Sequence, residues 1–449
     1  MDSATAAVFA KLSRLGDNER RVVLDRLEEQ GFWTLLEHSP ERLDMPSRLL
    51  TSKQRQLWML DADEHNNGFY HCSAMWLVSA GATACEMALC DVMNSSEVFH
   101  RRIEGHSELP VFVDVDPPAV QQVAPPRHIV DPLPWCIADA ARRHDLPVLT
   151  AGAVADVVVY KLDSRRSAIS LVGHDAYFDH QGLCTVLAPA VGRRLVGGPV
   201  QEGIRISDFA HWQDANLKIG PLGRRVERRR GEIAAMPPAP LEVTGDRTGV
   251  RHPVWTATPE QQQHIRDRAA NAGVSSAALL LAIWQFTLSE WNPAFAAVPI
   301  GSCTTARVRP ELRDTLGNLA NTCVVVPPEA TDELQMQPLD ERRLRFFHRA
   351  LQATISDVDL PFEMVFPARH GHVEDEQIGV RYTFVEYDEP TGLLKEVDVP
   401  VRTAKSALGC EVRWSHAGLE IWLDTRPSAI RGRDAARLAE MMAGRLEEI

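Results

Sequence analysis

A short apolar strand that ends in a group of titratable side chains is the feature that most constrains this chain. Residues 169–173 are apolar or small, His174, Asp175 and Asp179 follow at once, and residues 182–187 have helical character. Titratable groups placed where a buried strand passes into a helix are a common way to hold acids and bases in a cleft. Two interpretations are open from these residues alone. They form a catalytic cluster, or His174 is a core histidine and Asp179 caps the next helix.

The composition describes a globular protein and argues against several classes of function. A chain of 449 residues exceeds one ordinary core and predicts two or three lobes. Its net charge of −13 argues against nucleic-acid binding, and no apolar run approaches the ~18 residues of a membrane helix. The first residues lack a signal-peptide pattern, and none of the eight cysteines lies in a Cys-x-x-Cys pair. We therefore expect a cytoplasmic protein without nucleic-acid or membrane partners.

The predicted elements form an N-terminal extension and two mixed lobes. Residues 1–45 are predicted to be a helical extension, residues 46–235 the lobe that carries the titratable cluster, and residues 236–449 the second lobe. The proline-rich stretch 237–240 is a stiff connector between the lobes. Each lobe combines strands and flanking helices, which predicts the α+β class. The predicted helices are 51–60, 83–93, 258–272, 275–288 and 433–446, and the predicted strands are 69–78, 111–115, 155–162, 168–173, 296–300, 321–326, 379–386, 409–414 and 419–423.

Two further clusters carry charge but predict no ligand. The arginines of residues 224–230 fall on one predicted helix, where a solvated face is the expected arrangement. His370 and His372, with Glu374 and Asp375, are metal-ligand types, but the surrounding glycine and acidic run indicate an exposed loop. The sequence therefore predicts no metal site.

Six stretches, in the family's order, resemble motifs of the condensation domains of nonribosomal peptide synthetases. They are Thr-Ser-Lys-Gln-Arg-Gln-Leu-Trp at 51–58, Ser-Asp-Phe-Ala-His-Trp-Gln at 207–213, Ile-Gly-Ser and Arg-Val-Arg-Pro-Glu-Leu within 300–312, Gly-Asn-Leu-Ala-Asn-Thr at 317–322, Leu-Pro-Phe-Glu at 360–363, and Ala-Lys at 404–405. One such match is unspecific, whereas six collinear matches are specific at the level of a family. Together they cover about residues 50–449.

A seventh match falls on the titratable cluster and is altered. The family motif is His-His-x-x-x-Asp-Gly, and this chain has His-Asp-Ala-Tyr-Phe-Asp-His at 174–180. The second histidine, to which the family's catalysis is usually assigned, is Asp175, and the final glycine is His180. The Leu-Arg-Thr motif expected near residues 109–111 also lacks its arginine.

The resemblance implies a fold and a set of partners. It implies two lobes similar to chloramphenicol acetyltransferase, arranged as a V-shaped pseudo-dimer around a central tunnel. It further implies acyl transfer in antibiotic biosynthesis by a stand-alone or terminal condensation-domain homologue. No cofactor would be bound directly, since peptidyl or acyl carrier proteins would supply phosphopantetheine. Other synthetase modules or a tailoring enzyme are further partners that the resemblance implies.

The resemblance also implies roles for individual residues. His174, Asp175 and the displaced His180 are the candidates for catalysis. Asp179 is expected to be structural and paired with Arg307, with Arg309 as the next positional match. The expected tunnel or substrate contacts are Tyr177, Gly301, Ser302 and Asn321.

The substitution at Asp175 leaves three functions open. Histidine, with a pKa near 6.5, accepts a proton at neutral pH. General-base catalysis of this kind raises a rate by about 10²–10⁴. An aspartate with a pKa near 3.9 is too weak a base unless burial raises its pKa. The first function is acyl transfer, with Asp175 or His180 in place of the missing base. The second is a non-catalytic module, like the X domain of glycopeptide synthetases, that binds carrier-tethered peptide or recruits a tailoring enzyme. The third, heterocyclisation, is disfavoured because Asp175 and Asp179 are separated by three residues instead of four.

Overall fold

The chain folds into two compact units of mixed helix and sheet, each assembled from three separate segments. Unit 1 comprises Met1–Glu227, Ala306–Ala320 and Pro390–Val401, and unit 2 comprises Arg228–Thr305, Asn321–Glu389 and Arg402–Ile449. The structure, a computed structural model, describes residues 39–64, 68–105, 110–145, 154–201, 203–218, 222–241, 247–327, 340–366, 378–386, 393–415 and 418–449, with a few single residues between 15 and 26. The α+β prediction is confirmed. The boundaries proposed at residues 45 and 235 stay predictions.

The secondary structure in the described ranges follows the chain in this order. The elements are α1 (Ser52–Glu64), β1 (His71–Val78), α2 (Ala82–Ser95), β2 (Arg101–Glu104), β3 (Val111–Asp114), β4 (Val120–Val123), α3 (Pro132–His144), β5 (Ala155–Lys161), β6 (Ser167–His174), α4 (Ala188–Leu195), α5 (Ile206–Lys218), α6 (Leu222–Ala234), β7 (Val250–Ala257), α7 (Pro259–Ala272), α8 (Ser276–Trp291), β8 (Ile300–Thr305), β9 (Ala320–Val325), α9 (Glu341–Ser356), α10 (Phe362–Val365), β10 (Val380–Glu386), β11 (Leu394–Glu396), β12 (Leu408–Ser415), β13 (Gly418–Thr425) and α11 (Gly432–Glu447).

Unit 1 is built on a five-stranded sheet in the order β11-β1-β6-β5-β4. The central strand β6 is buried along its whole length and pairs antiparallel with β1 and with β5. Helix α3 covers part of the sheet, where Cys136 and Ala140 pack against Met75, Val158 and Tyr160. Because β6 is central and buried, the residues at its end enter the protein interior and not an open loop.

Unit 2 is built on a six-stranded sheet in the order β7-β13-β12-β10-β8-β9. Helix α8 is buried almost all round, with Leu280 and Trp284 fully enclosed in the core of this unit. The hydroxyl of Tyr382, on β10, donates to the Ala277 carbonyl oxygen of α8 at 2.8 Å. A helix that is apolar on every face predicts such a central position.

Several predicted elements were wrong or missing. The strand predicted at 296–300 is wrong, because Pro293–Phe295 form a 3₁₀ turn and the strand begins only at Ile300. The helical run after Asp179 contains a π-helical turn, Leu183–Leu187, which periodicity does not reveal. Helix α3 was missed, although Asp131 caps it and Pro132 occupies its first turn, a sequence signal for a helix start.

No single helix in the described ranges is long and apolar enough to span a membrane. Helices α7 and α8 reach that length and composition only as a pair, and they meet at 95°. Helix α8 is the buried core helix of unit 2.

Candidate functional site

The loop that follows β6, residues 174–179 (the motif loop), is held in place by side chains from distant parts of unit 1. The buried amide of Gln54, on α1, donates to the Ala176 carbonyl oxygen at 2.9 Å. The amide of Asn318 donates to the Asp175 carbonyl oxygen. The two hydrogen bonds satisfy backbone groups that a buried loop would otherwise leave without partners.

His174 is entirely buried at the end of β6. Its Nδ1 accepts a hydrogen bond from the Ala176 backbone N–H at 2.9 Å, so in the neutral ring the proton lies on Nε2. Nε2 is 3.6 Å from Asp61 Oδ1 of α1. This geometry does not fit the catalytic role that the sequence suggested for His174, because the ring is enclosed and its acceptor nitrogen holds the turn of the motif loop.

Asp175 is the residue that the motif resemblance aligns with the family's second histidine. The residue is half-buried, and its backbone N–H donates to the Tyr70 carbonyl oxygen at 2.6 Å. Burial raises the pKa of the neighbouring Cys72 thiol well above its usual value, and the negative charge of Asp175 raises it further. The motif loop therefore carries a carboxyl group at the position that the resemblance aligns with a family imidazole.

Tyr177 was expected to contact substrate, and its surroundings do not fit that expectation. The side chain is fully buried, and its hydroxyl accepts a hydrogen bond from the Ile103 N–H at 2.7 Å. Burial raises the pKa of Tyr177, so the hydroxyl stays neutral. Tyr177 and its neighbour Phe178, also fully buried, pack the motif loop onto the core of unit 1.

Asp179 and Arg307 form a buried ion pair. Arg307 Nη1 donates to both carboxylate oxygens of Asp179, at 2.9 and 2.8 Å. The Asp179 carboxylate also accepts from the backbone N–H groups of Gly182 at 2.6 Å and Leu319 at 2.7 Å. Asp179 therefore caps the following helix and holds the ion pair at the same time, as the sequence allowed.

The other donors of Arg307 are also satisfied. Nε and Nη2 donate to the Thr315 carbonyl oxygen, at 3.2 and 3.0 Å, and Nη2 donates to the Gly317 carbonyl oxygen at 2.7 Å. A methyl group at Gly182 would collide with the Arg307 guanidinium, so only glycine fits at this position without rearrangement. Arg309, the second positional match, lies 5.0 Å above the Trp212 ring instead.

His180 replaces the glycine of the family motif and is held by two acceptors. Its Nδ1 lies 3.1 Å from the Ser73 carbonyl oxygen, and its Nε2 lies 2.9 Å from Glu396 Oε1. Burial of the ring nitrogens would lower the pKa of His180, but Cys184 and Glu396 outweigh it and raise that pKa well above 6.5. Both ring nitrogens face acceptors, which favours the protonated imidazole and does not fit the role of the missing base, although the His180 side chain is 45% exposed.

Cys184 lies one helical turn after His180. Its Sγ is 3.5 Å from His180 Nε2. Burial raises the pKa of the Cys184 thiol, the His180 cation lowers it, and Glu396 raises it again, with a net increase. The thiol is therefore protonated at neutral pH while the site holds only protein groups.

The remaining predicted contacts lie in unit 2. Gly301 and Ser302, on β8, are buried, and a methyl group at Gly301 would press on Ile378 at 3.0 Å. The amide of Asn321 donates to the carbonyl oxygens of Val358 and Leu360, at 2.9 and 2.6 Å. These contacts give Asn321 a structural role within unit 2. Substrate contacts at these three positions stay predictions.

Unit 1 brings together His174, Asp175, Asp179, His180 and Arg307, which the sequence grouped. Sequence reasoning missed Gln54 and Asn318, although both lie in matched motifs, because a motif does not state which backbone group a side chain will bind. It also missed Cys184 and Glu396. The His-x-x-x-Cys spacing on one helix was a readable signal, whereas nothing in the sequence connects Glu396 to residue 180. The His370–His372 cluster lies outside the described residues.

Solved structures that resemble this chain include domains of nonribosomal peptide and polyketide synthases. The X-domain from teicoplanin biosynthesis has a TM-score of 0.70 and 16% identity, over 92% of this chain and 98% of that one. VibH, a nonribosomal peptide synthetase condensation enzyme, has a TM-score of 0.73 and 14% identity, over 89% and 97%. The fold is that of a condensation domain. The condensation domain that releases chains from the enacyloxin polyketide synthase has a TM-score of 0.72 and 16% identity, over 95% of this chain and 88% of that chain.

One curated relative is a peptide synthetase. Phosphinothricin tripeptide synthetase PhsC from Streptomyces viridochromogenes is 26% identical over an alignment of 298 positions that covers 61% of this chain. The match spans only 27% of the length of that synthetase. No protein family model matches the chain.

Proposed function

We propose that this condensation-fold chain transfers an acyl or peptidyl group from a carrier-protein thioester to an acceptor amine, with Asp175 as the residue that holds the acceptor. The observation that carries the proposal is the half-buried Asp175 at the motif position where the family has its second histidine. His174 is enclosed at the end of β6, and Asp179 is paired with Arg307.

The chemistry of an aspartate favours orientation of a cationic acceptor over strong base catalysis. A free α-amino group has a pKa near 7.7–8.0 and is mostly an ammonium ion at neutral pH. An anionic Asp175 attracts that ammonium and places it on the motif loop. The amine that attacks is then the deprotonated fraction, held where the ammonium was bound.

The proposed reaction balances without an added cofactor. The acceptor nitrogen attacks the thioester carbonyl carbon, the new C–N bond forms, and the C–S bond breaks. The proton lost by the amine goes to the leaving thiolate, so the products are an amide and the free thiol of the donor arm. The phosphopantetheine arms belong to carrier proteins, which are therefore the proposed partners, in natural-product and antibiotic biosynthesis. An alcohol acceptor would yield an ester by the same steps.

A second candidate function is a binding module without chemistry. The likeness to an X-domain, whose complex with OxyB from teicoplanin biosynthesis has also been solved, supports it. The missing second histidine supports it as well, because a scaffold needs no proton acceptor. In this version the chain would gather a carrier-tethered peptide and a tailoring enzyme.

Intact-protein mass spectrometry of carrier proteins distinguishes the two candidates. A donor carrier loaded with an acyl-dipeptide is mixed with a panel of acceptor carriers, each loaded with one amino acid. We expect a condensed product with the wild-type chain, and Asp175→Asn, which keeps the shape and removes the charge, should lower turnover at least ~10²-fold. The matched control is Asp163→Asn, an exposed hairpin aspartate of the same unit.

The measured turnover of the Asp175 variants distinguishes acyl transfer from a binding module. Unchanged turnover in Asp175→Asn would remove Asp175 from the reaction. Absence of product across the panel, together with activity created by Asp175→His, would favour the binding module. Carrier-protein binding, measured by calorimetry, should remain intact in Asp175→Asn under either outcome.

A further inference from the structure

We infer that His180, Cys184 and Glu396 form a binding site for a thiophilic divalent cation, with Zn²⁺ as the best-fitting ion. These three residues offer one imidazole nitrogen, one sulfur and one carboxylate oxygen, all within 4.8 Å of one another. That mixture of donors is typical of zinc, whereas Mg²⁺ and Ca²⁺ take only oxygen ligands. The inference is independent of the proposed acyl transfer.

The distances are close to those of a tetrahedral zinc site. With Zn–N and Zn–O bonds of about 2.0–2.1 Å and a Zn–S bond of about 2.3 Å, a tetrahedral arrangement separates N from S by ~3.6 Å and N from O by ~3.3 Å. Here His180 Nε2 lies 3.5 Å from Cys184 Sγ and 2.9 Å from Glu396 Oε1. Both separations are therefore within about 0.4 Å of the tetrahedral values.

The second ring nitrogen of His180 has the partner that a metal-binding histidine needs. Nδ1 lies 3.1 Å from the Ser73 carbonyl oxygen, so it keeps its proton and the Nε2 lone pair is the one offered to a metal. Such a hydrogen bond fixes the tautomer and the ring orientation in known sites. This contact distinguishes the cluster from a surface ion pair.

The ligands are carried on rigid parts of unit 1. His180 and Cys184 are four residues apart in one helical run, so their side chains share a face. Glu396 lies on β11, where it pairs with Trp76 of β1. The same strand β1 carries Ser73. The side chains of His180 and Glu396 are 45% and 35% exposed, so an ion can enter and a fourth ligand can reach it.

Metal binding exchanges protons for the ion. Zn²⁺ binds a neutral imidazole and a thiolate, so any proton held on His180 Nε2 or Cys184 Sγ is released when the ion binds. The fourth position is left for water or for an exogenous ligand, as in sites with three protein ligands.

Metal titration of the full chain tests the site. The purified protein is treated with a chelator, dialysed, and titrated with Zn²⁺ and with Co²⁺, with bound metal measured by elemental analysis. We expect one equivalent of metal and a sulfur-to-cobalt charge-transfer band, since Cys184 supplies the thiolate. Cys184→Ser should abolish the band, and His180→Gln and Glu396→Gln should each weaken binding by at least tenfold.

Matched controls keep the test decisive. Cys303→Ser removes an exposed cysteine of unit 2, and Cys90→Ser removes a half-buried cysteine of unit 1; both should bind metal like wild type. Thermal melts of every variant show that the protein is folded. Absence of stoichiometric binding in the wild type, or a charge-transfer band that survives in Cys184→Ser, would overturn the inference.

Discussion

Two neighbouring residues of unit 1 form carboxylate–cation pairs of similar length but in opposite environments. Asp179 meets Arg307 at 2.8 Å with side chains only 6% and 4% exposed, whereas Glu396 meets His180 at 2.9 Å with side chains 35% and 45% exposed. In the buried pair, backbone groups satisfy the remaining donors and acceptors. In the open pair, a thiol lies alongside and solvent reaches the cluster. The same type of pair therefore stabilises the motif loop on one side and offers ligand atoms on the other.

Both pairs join the motif to residues from the second half of the sequence that belong to unit 1. Arg307 lies in Ala306–Ala320 and Glu396 in Pro390–Val401, the two late segments of unit 1. The motif therefore depends on residues more than 120 positions away for its electrostatic partners, since Asp179 and Arg307 are 128 residues apart.

The largest expected effect is at the buried pair. Asp179→Ala should lower the free energy of unfolding by about 3–5 kcal/mol, because it leaves the Arg307 charge buried without its partner. Asp175→Ala, at a half-buried position of the same loop, should cost clearly less. Denaturant unfolding of the two variants measures the difference, and equal losses would show that Asp179 is not structural.

A companion pair of variants sharpens the assignment of the arginine. Arg307→Ala should destabilise the protein about as much as Asp179→Ala, whereas Arg309→Ala removes a contact with the Trp212 ring, worth about 0.5–1 kcal/mol, and should cost clearly less. A larger loss in Arg309→Ala would reverse the assignment.

An intermediate effect is expected at the buried amide that holds the motif loop. Gln54→Ala should lower the free energy of unfolding by about 1–3 kcal/mol. The substitution removes the donor to the Ala176 carbonyl oxygen and the acceptor of the Thr51 N–H, which lies 3.0 Å from Gln54 Oε1. Gln263→Ala, at an exposed glutamine of α7, should change stability by less than about 0.5 kcal/mol. Indistinguishable unfolding curves for the two variants would mean that the loop does not depend on α1.

The smallest effect is expected at the open pair and depends on pH. The pKa of His180 is raised in the folded protein above its ordinary value of 6.5, so the folded state binds this proton more tightly than the unfolded chain. The stabilisation by the His180–Glu396 pair is therefore complete below about pH 6.5 and is lost as pH rises through the higher folded pKa.

Unfolding measured in chelator across pH 5–10 checks the sign. The difference in stability between wild type and His180→Gln should be largest at low pH and shrink as the solution becomes alkaline. Glu396→Gln should remove most of the same dependence, because it removes the carboxylate that holds the proton. A difference that grows with pH would contradict the assignment of a cation.

The sequence predicted much of the fold because the signals are local or shared with a family. The alternation of strands and helices predicted two α+β units, and the collinear motifs predicted the condensation-domain fold. The same motifs pointed to Asp179 and Arg307 as a pair. The strand predicted at 296–300 was wrong, because an apolar run does not show where a 3₁₀ turn ends and a strand begins.

The sequence by itself determined the residue types of the motif. Its resemblance to the family pointed to an aspartate in place of the second histidine and to the pairing of Asp179 with Arg307. Only the tertiary structure decided which groups are enclosed. It placed His174 and Tyr177 in the core, joined His180 to Cys184 and Glu396, and assigned Gln54 and Asn318 to the loop. The reason is that burial and hydrogen-bond partners depend on which distant segments pack together, and Glu396 of β11 reaches His180 because β11 pairs with β1.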